Sequence, residues 1–340
     1  MNSLPQKSSP KKAANQLPLY AFDTLTLYKR FGAKEKIDTS KLTPRKGKQV
    51  FKKDFLYVTY RRNYAAYIQE VTVTCQSMTG LLYGNNLFNF EDYADINRAL
   101  NMISERVSNL LSIEYDAHGA TVTALDIQRD FFVGQLLPFY LDAIGRHEIA
   151  RTERKHYPEN SPFFVETVEF SNAGRNIQFY DKRAHLDSKR RELPEVKRAL
   201  ASGILRLEVG IEKHALDRDL KARFNSTEKK AGEILTPEFA AYVIDRTLSE
   251  IGLDAEIPTL AEHKEEIRAR IKKPQTAARL INFIELIDRE GVMKAKEKYK
   301  GDFKHRKKQL ADAGLWRMFF ASQTLPALSS FLNDDWTIYS

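Results

Sequence analysis

The stretch ATVTALDIQRDFFV (residues 120–133) alternates apolar and polar residues and is rich in β-branched and aromatic side chains. Such alternation is typical of a β-strand with one buried face. The same pattern recurs through the first two thirds of the chain, so the sequence predicts a sheet. The other predicted strands are FDTLTLY (22–28), FLYVTYR (55–61), QEVTVTC (69–75), FFVETVEF (163–170), RNIQFYDK (175–182) and GILRLEVGIEK (203–213).

Between these strands the period changes. From Asp95 to Ile113 the apolar residues are spaced by three or four positions, as on one face of a helix. This segment is therefore predicted to be a helix that packs on the sheet. The sequence SNAG (171–174) between two predicted strands indicates a hairpin turn.

After about residue 215 the pattern is helical. The segment TPEFAAYVIDRTLSEIG has Thr236 as N-cap, Pro237 at the first helical position and Gly252 as terminator. A second helix, TAARLINFIELIDREG (276–291), and a basic one, KGDFKHRKKQLADAGL (300–315), follow. Such a pair is either a helix-turn-helix that docks on DNA or a simple packing unit.

These patterns predict an α+β protein with two folded regions. We expect a basic flexible arm at residues 1–18, and a mostly antiparallel sheet domain with packed helices at 19–216. We expect a helical C-terminal domain at 217–340.

Charge is the second informative property. The chain has 340 residues and a formal net charge of +9, and the basic residues are clustered. Residues 41–62 hold eight Lys or Arg against one acid, and residues 291–318 hold nine against three. A single run of this kind is usually a solvated face. Several runs with tyrosines between them favour nucleic acid as the partner. The basic residues predicted to contact DNA are Lys52, Lys53, Arg61, Arg62, Arg175, Arg183, Lys304, Arg306, Lys307 and Lys308.

Other classes of protein lose support. A lone cysteine, Cys75, excludes an intrachain disulfide framework and a Cys-based zinc cluster, which predicts a reducing compartment. We see neither a secretory signal nor an apolar segment long enough to cross a membrane, so we expect a cytoplasmic protein. Phosphate loops, GxSxG elbows and paired histidine motifs are all missing from the sequence.

Two acidic residues stand inside strand patterns. Asp126 in TALDIQRD and Glu208 in LRLEVGIE lie where a carboxylate is costly to bury without a cation. The simpler explanation is a salt bridge, for example between Glu208 and Arg206. The functional one is that carboxylates from neighbouring strands hold Mg²⁺ or Mn²⁺, which prefer oxygen ligands.

Tyr180, in the run QFYDKR, is the third candidate. A phenol is a poor nucleophile unaided, and one tyrosine of the chain's fifteen is normally structural. Here Lys182 is two positions away, on the same face of the predicted strand, and Arg175 and Arg183 add positive charge. With a metal on the two carboxylates, these groups would support phosphoryl transfer through Tyr180.

The chain resembles the rolling-circle replication initiators of filamentous phages, the gene II/X or CRI type. The resemblance covers about two thirds of the chain in five ordered blocks. They are FDTLTLY, TGLLYGNNLFNFED (79–92), VTALDIQRDF (122–131), NIQFYDKRAHL (176–186) and RALASGILRLEVGIEKHAL (198–216).

This resemblance implies a DNA-nicking and rejoining enzyme whose tyrosine stays joined to the 5′ end and frees a 3′ hydroxyl for the host polymerase. Tyr180 takes the position of the nucleophile, Lys182 that of the basic residue beside it, and Asp126 and Glu208 those of the metal ligands. Asn86 falls in the GxN segment and is assigned to DNA binding or to positioning of the active site. Residues 19–216 would then be a nuclease-like nicking domain. The implied partners are double-stranded phage or plasmid origin DNA, the displaced single strand and host helicase and polymerase, in the bacterial cytoplasm.

The chain departs from related patterns in one respect. Many rolling-circle nickases carry a paired-histidine metal motif, and Asn85 stands where some relatives have a histidine. The third metal ligand is therefore left open among Glu166, Glu169 and His185.

Two other functions compete with the nickase. One is an origin-binding replication or repressor protein without chemistry. The other is a tyrosine recombinase, which normally uses a helical domain with Arg and His residues and leaves a 3′ linkage. The β-rich surroundings of Tyr180 argue against the recombinase.

Overall fold

A computed structural model describes residues 21–85, 93–149, 151–157, 165–188, 195, 199–225, 229–317 and 320–332. The predicted basic arm at 1–18 and the predicted DNA-contacting residue Asn86 lie outside these ranges.

One antiparallel sheet organises the described chain. Its ten strands are arranged in the order β2-β3-β4-β5-β1-β6-β10-β9-β8-β7, so the strands containing the acidic candidates are central. Their bounds are β1 (Ala21–Gly32), β2 (Thr43–Arg45), β3 (Lys48–Lys53), β4 (Leu56–Asn63), β5 (Ile68–Cys75), β6 (Thr121–Phe132), β7 (Glu153–Tyr157), β8 (Thr167–Asn172), β9 (Arg175–Asp181) and β10 (Ile204–Glu212).

The helices are interspersed with the strands as far as β10 and make up the regular structure after it. They are α1 (Met78–Tyr83), α2 (Ala94–Leu111), α3 (Leu137–Arg146), α4 (Lys182–Ser188), α5 (Lys213–Phe224), α6 (Ala231–Ile234), α7 (Pro237–Ile251), α8 (Leu260–Arg270) and α9 (Pro274–Asp312). The predicted α+β class with an antiparallel sheet is confirmed. No helix in the described ranges is long and apolar enough to cross a membrane.

The two faces of the sheet differ in chemistry. In β5, Val71, Val73 and Cys75 are fully buried, whereas the alternate residues Thr72 and Thr74 are only half-buried. The buried face packs against helices α2, α3 and α7, whose apolar residues belong to the same hydrophobic core. The opposite face carries polar and charged residues, and this face holds the candidate site.

Local signals in the sequence explain several boundaries. The Thr236 hydroxyl accepts a hydrogen bond from the backbone N–H of Phe239, Pro237 starts α7 and Gly252 ends it in the left-handed conformation, as predicted. The turn after β8 is held by Asn172, whose Oδ1 accepts from the N–H groups of Gly174 and Arg175.

Apolar residues form two large cores. The first extends from the sheet through α5 and α7 to Leu328. The second lies between Ile267 and Phe320 and centres on Phe283, whose ring contacts Phe303 and Trp316. The predicted boundary after residue 216 thus falls inside α5, whose Leu216 and Leu220 both belong to the first core.

The predicted helix pair near the C-terminus is one long segment, α9, interrupted at Gly291 and Lys300. Phe283 from the first part packs on Phe303 from the basic part. These helices are therefore a packing unit, and the structure leaves their predicted role in docking on DNA untested.

Candidate active site on the polar sheet face

Strand register brings the predicted nucleophile and the two predicted metal ligands to one face of the sheet. Arg206 of β10 lies opposite Tyr180 of β9, and Gly210 of β10 lies opposite Asp126 of β6. Opposed residues share a face, as do residues two apart on one strand. Tyr180, Glu208 and Asp126 therefore lie on the same face, on three neighbouring strands.

Tyr180 is joined directly to Glu208. Its hydroxyl donates a hydrogen bond to Glu208 Oε1, and its side chain is only 1% exposed. The ring of His185, from α4, lies over it with the ring centroids 4.5 Å apart. Burial, followed by the charge of Glu208, raises the pKa of Tyr180 well above its ordinary value, so the phenol is held protonated.

An ion pair lies beside this hydrogen bond. Arg206 is fully buried and donates two hydrogen bonds to the carboxylate of Asp130 and one to Gln128 Oε1 at 2.8 Å. Arg206 thus has Asp130 as a carboxylate partner, which the sequence did not indicate. Its charge also lowers the pKa of Glu208, but burial and the charge of Asp23 outweigh it and raise that pKa.

Asp126 is held in an unfavourable environment for a charge. Burial, with the nearby charges of Glu208 and Asp23, raises its pKa from 3.8 to about 6. Burial thus disfavours the charged forms of Asp126 and Glu208, and repulsion by Asp23 adds to this effect at both carboxylates. Such mutual repulsion is common where acidic groups share a functional site.

Asp23 is an acidic residue of this cluster that sequence reasoning missed. The pairing of β1 with β6 shifts by one residue between Phe22 and Leu25, which forms a bulge at Asp23 and Thr24 next to Asp126. Asp23 Oδ1 accepts a hydrogen bond of 2.7 Å from Ser77 Oγ. The available signal was the same as for Asp126, an acid inside a strand pattern, in FDTLTLY.

Gly210 makes room for the Asp126 carboxylate. A Cβ at this position would lie 2.9 Å from Asp126 Oδ1 and 3.4 Å from the Cβ of Asn176. A side chain here would push the carboxylate aside. The absence of a side chain at residue 210 thus keeps the space beside Asp126 open.

Lys182 corrects one prediction. The strand ends at Asp181, and Lys182 is the first residue of α4 rather than a residue on the strand face. The helix starts here because Asp181 Oδ1 accepts hydrogen bonds from the N–H groups of Arg183 and Ala184. The ammonium of Lys182 is fully buried. Burial and the neighbouring Arg206 lower its pKa to about 7, against the opposing effect of Asp130, Glu208 and Asp23.

Two carboxylates suit a hard divalent cation. Magnesium is usually bound by one or two protein carboxylates, with water and phosphate completing its shell, and Asp126 and Glu208 match that donor set. Within the described ranges no three His, Cys, Asp or Glu side chains are grouped so as to hold a metal ion. Asp126 and Glu208 thus supply carboxylate oxygens of the kind that substrate and water would complete into a metal site, and the described chain offers no closed protein cage for a metal.

The three candidates for a third ligand lie in different places. Glu169 of β8 is opposite Gln178 on the polar face, two strands from Glu208. Glu166 precedes β8, and its carbonyl accepts a hydrogen bond from the N–H of Asp181. His185 stacks on Tyr180. None of the three completes a metal-binding group in the described chain.

Arg175 lies away from the site, in contrast to the prediction. Odd-numbered residues of β9 face the helices, and Arg175 is 8% exposed and pairs with Glu250 of α7 at 2.5 Å. Its guanidinium also donates to Thr247. Arg175 therefore links sheet and helix instead of contributing charge beside Tyr180. Arg183, on α4, is nearer but contacts Glu195 and Ser202.

The other residues predicted to contact DNA form two distant groups. Lys52, Lys53, Arg61 and Arg62 are exposed at the ends of β3 and β4, and Lys304, Lys307 and Lys308 are exposed on α9. Arg306 differs, since its side chain is 11% exposed, pairs with Asp302 at 2.6 Å and lies over the ring of Tyr299. Arg306 therefore packs against the second core.

Comparisons with known proteins give few matches. No family model and no curated protein matches the chain. Among solved structures, a rolling circle replication initiator protein from Geobacillus stearothermophilus is similar at 13% sequence identity. The similarity covers 68% of this chain and 84% of that one, with a TM-score of 0.35.

Proposed function

We propose that this protein is a rolling-circle replication initiator that nicks one strand of double-stranded origin DNA through Tyr180. The observation that supports this most is the hydrogen bond from the Tyr180 hydroxyl to Glu208, on the face that also carries Asp126. A nucleophile bonded to a base, beside acids able to hold a cation, is an arrangement suited to phosphoryl transfer.

In the proposed reaction Glu208 accepts the phenol proton while Tyr180 Oη attacks a backbone phosphorus. A Tyr–O–P bond forms, the bond from phosphorus to the 3′ oxygen breaks, and that oxygen leaves and takes up a proton. The protein stays on the 5′ phosphate. The ester keeps the free energy of the broken phosphodiester, so a free 3′ hydroxyl reverses the step and reseals the displaced strand without ATP.

The cations of the cluster balance the charge that develops on the phosphate. When Lys182 is protonated, its ammonium is attracted by Glu208 and Asp130, and it is buried where its field is weakly screened. We propose that Mg²⁺ or Mn²⁺ is held by Asp126 and Glu208. When bound, such an ion polarises the scissile phosphate.

Tyr180 must become accessible before it can react. At 1% exposure beneath His185, its hydroxyl cannot reach a phosphate in this conformation. We propose that α4, which starts at Lys182 and carries His185, moves when origin DNA binds. In this proposal the enzyme remains inactive until its substrate is in place.

The implied partners follow from this function. The substrate is double-stranded phage or plasmid origin DNA, the product includes the displaced single strand, and extension of the 3′ end needs a host helicase and polymerase in the bacterial cytoplasm.

A cleavage assay tests the proposal. Purified protein is incubated with supercoiled DNA carrying the cognate origin, with Mg²⁺, Mn²⁺ or EDTA, and the products are resolved by end labelling. The proposal expects a nick in one strand, dependent on the metal, with protein attached to the 5′ end. A nick with a free 5′ phosphate, or a 3′ attachment, contradicts it.

The burial of Tyr180 favours one competing function, a non-catalytic origin-binding replication or repressor protein. In that case Tyr180, Glu208 and Arg206 are a buried polar network that stabilises the sheet. Retarded mobility of origin DNA, without a nick under any metal condition, would support this second function over the first.

A further inference from the structure

A basic groove of about 790 Å³ lies at the far end of the sheet from Tyr180. It is walled by the loop after β1, the β2–β3 hairpin and the end of β4. Five strand spacings of about 4.8 Å separate β4 from β9, so the groove and Tyr180 lie about 24 Å apart across the strands of the sheet. Seven Lys or Arg and one acid line it. The basic residues are Lys34, Lys36, Arg45, Lys46, Lys48, Arg61 and Arg62.

These cations are not used to hold the fold together. Within the described chain none of the seven forms an ion pair with a carboxylate, unlike Arg175, Arg206 and Arg306. The one acid, Glu35, accepts a hydrogen bond from the N–H of Gly32. A concentration of positive charge without acidic partners favours a polyanion, because each neutralised phosphate releases counterions.

The walls of the groove are built rigidly. Gln69, which is 4% exposed, donates to the carbonyls of Gly32 and Glu35, both at 2.8 Å, and accepts from the Tyr60 hydroxyl at 2.7 Å. This side chain fixes the loop after β1 to the β4–β5 hairpin. On the other wall, Lys46 and Gly47 have positive φ angles of 34° and 72° and form a tight two-residue turn.

Two exposed aromatic rings lie in the turn that adjoins the groove, and one of them, Tyr64, lines it. Tyr64 and Tyr67, in the turn between β4 and β5, are 75% and 78% exposed. The turn is held by Asn63 Oδ1, which accepts from the N–H of Ala66 at 3.1 Å. The guanidinium of Arg62 lies 5.1 Å from the centroid of the Tyr64 ring. Aromatic rings in water beside a cationic groove are the features that bind unpaired bases and their phosphates.

We infer that this groove binds single-stranded DNA, with the basic residues on the phosphates and Tyr64 and Tyr67 stacked on bases. The inference deepens the proposed function, on which it rests for the choice of DNA as the polyanion. Stacking needs the face of a base to be free, which duplex DNA does not offer. The groove therefore holds the unpaired strand, at a distance from the point of cleavage.

The test uses the full chain with Tyr180→Phe, so that binding is measured without nicking. A labelled 12-nucleotide oligo(dT) and a duplex of the same length are titrated by fluorescence anisotropy. Tyr64→Ala with Tyr67→Ala should weaken oligo(dT) binding at least about tenfold and duplex binding less than twofold. The matched control is Tyr157→Ala, a 40% exposed tyrosine on β7 at the opposite sheet edge, which should change neither.

A charge variant tests the other half of the inference. Lys34→Ser, Lys36→Ser and Lys48→Ser together should make the slope of log affinity against log salt shallower by about 2, since each phosphate contact contributes about 0.7 for single strands. Lys272→Ser with Lys273→Ser, on the exposed connection before α9, should leave the slope unchanged.

The outcomes separate this inference from the proposed function. The inference about the groove is wrong if the double tyrosine variant keeps its affinity for oligo(dT), or if it loses affinity equally for oligo(dT) and for the duplex. This holds even if the wild-type protein nicks its origin. A loss of affinity for oligo(dT) that is not seen for the duplex supports single-strand binding by the groove, even if the wild-type protein never nicks DNA.

Discussion

The Tyr180 hydroxyl donates a hydrogen bond to the Glu208 carboxylate across the β9–β10 pair. Tyr180 is buried and Glu208 is half-buried, and Arg206, directly opposite Tyr180, lies two residues before Glu208 on the same face of β10. A carboxylate that holds the proton of a potential nucleophile is already placed to remove it. The ring of His185, on α4, lies over the same phenol, which is 1% exposed.

Replacing Glu208 by Gln should abolish most of the nicking activity. The amide keeps the size of the side chain but cannot take the phenol proton as a base, and general-base catalysis contributes about 10²–10⁴ in rate. Initial nicking rates on supercoiled origin DNA measure the effect. Glu238→Gln, at an exposed position on α7, is the control and should be as active as the wild type. A loss smaller than tenfold for Glu208→Gln would remove this residue from the mechanism.

Replacing Asp126 by Asn should stabilise the metal-free protein at neutral pH. Burial and the charges of Glu208 and Asp23 raise the pKa of Asp126 from 3.8 to about 6, which corresponds to about 3 kcal/mol of unfavourable charge in the native state. Between these pH values the native state binds a proton that the unfolded state has released, so stability falls as pH rises from about 4 to 6 and stays lower above 6.

Urea unfolding at pH 4 and pH 7 in EDTA checks this sign. We compare the free energy of unfolding of Asp126→Asn with that of the wild type at each pH. The gain from the substitution should be larger at pH 7 than at pH 4, by up to about 3 kcal/mol. Asp312→Asn, at an exposed position in α9, should show no such difference. If the substitution instead lowers stability relative to the wild type, and does so more at pH 7 than at pH 4, the native carboxylate is favourably paired.

Replacing Gly210 by Ala should reduce nicking at least about tenfold and leave DNA binding intact. The new Cβ would lie 2.9 Å from Asp126 Oδ1, so the carboxylate must move, and displacement of a catalytic group by about 1 Å costs about 10²-fold in rate. Gly301→Ala in α9, where a Cβ meets no atom within 4 Å, is the matched control. Full activity of Gly210→Ala would mean that the position of Asp126 is immaterial.

Helix α4 should open when origin DNA binds. Hydrogen exchange by mass spectrometry should show faster exchange over residues 182–188 in the complex than in the free protein, while β9 and β10 stay protected. The physical reason is that His185 covers the Tyr180 ring and must leave for the hydroxyl to reach a phosphate. Undiminished protection of this helix in a complex that is competent to nick would contradict the proposed movement.

The central strands were predictable because each has one buried face. In β6 and β10 that burial imposes alternation on the sequence, and in α7 the cap at Thr236 and the terminator at Gly252 mark both ends. The β2–β3 hairpin escaped prediction because its strands are short and largely exposed. Without a buried face, no apolar period is imposed on the residues.

The candidate site was predictable in its residue types but less so in its geometry. Acids inside apolar strands pointed to Asp126 and Glu208. Strand register decides which side each side chain faces, and it sends Arg175 to the helices and brings Asp130 to Arg206. Asp23 reaches the cluster through a bulge, and Lys182 through a helix capped by Asp181. Neither feature shows in the alternation of apolar and polar residues.

The most direct test of the central claim is the detection of a covalent protein–DNA adduct. Supercoiled origin DNA that carries a label next to the bond to be cleaved is incubated with wild-type protein or with Tyr180→Phe in the presence of Mg²⁺. The products are then separated under denaturing conditions. The wild-type protein should give a 5′-linked adduct whose labelled peptide contains Tyr180, and Tyr180→Phe should give no adduct while still binding the origin. A 5′ adduct of undiminished yield in Tyr180→Phe would contradict the central claim.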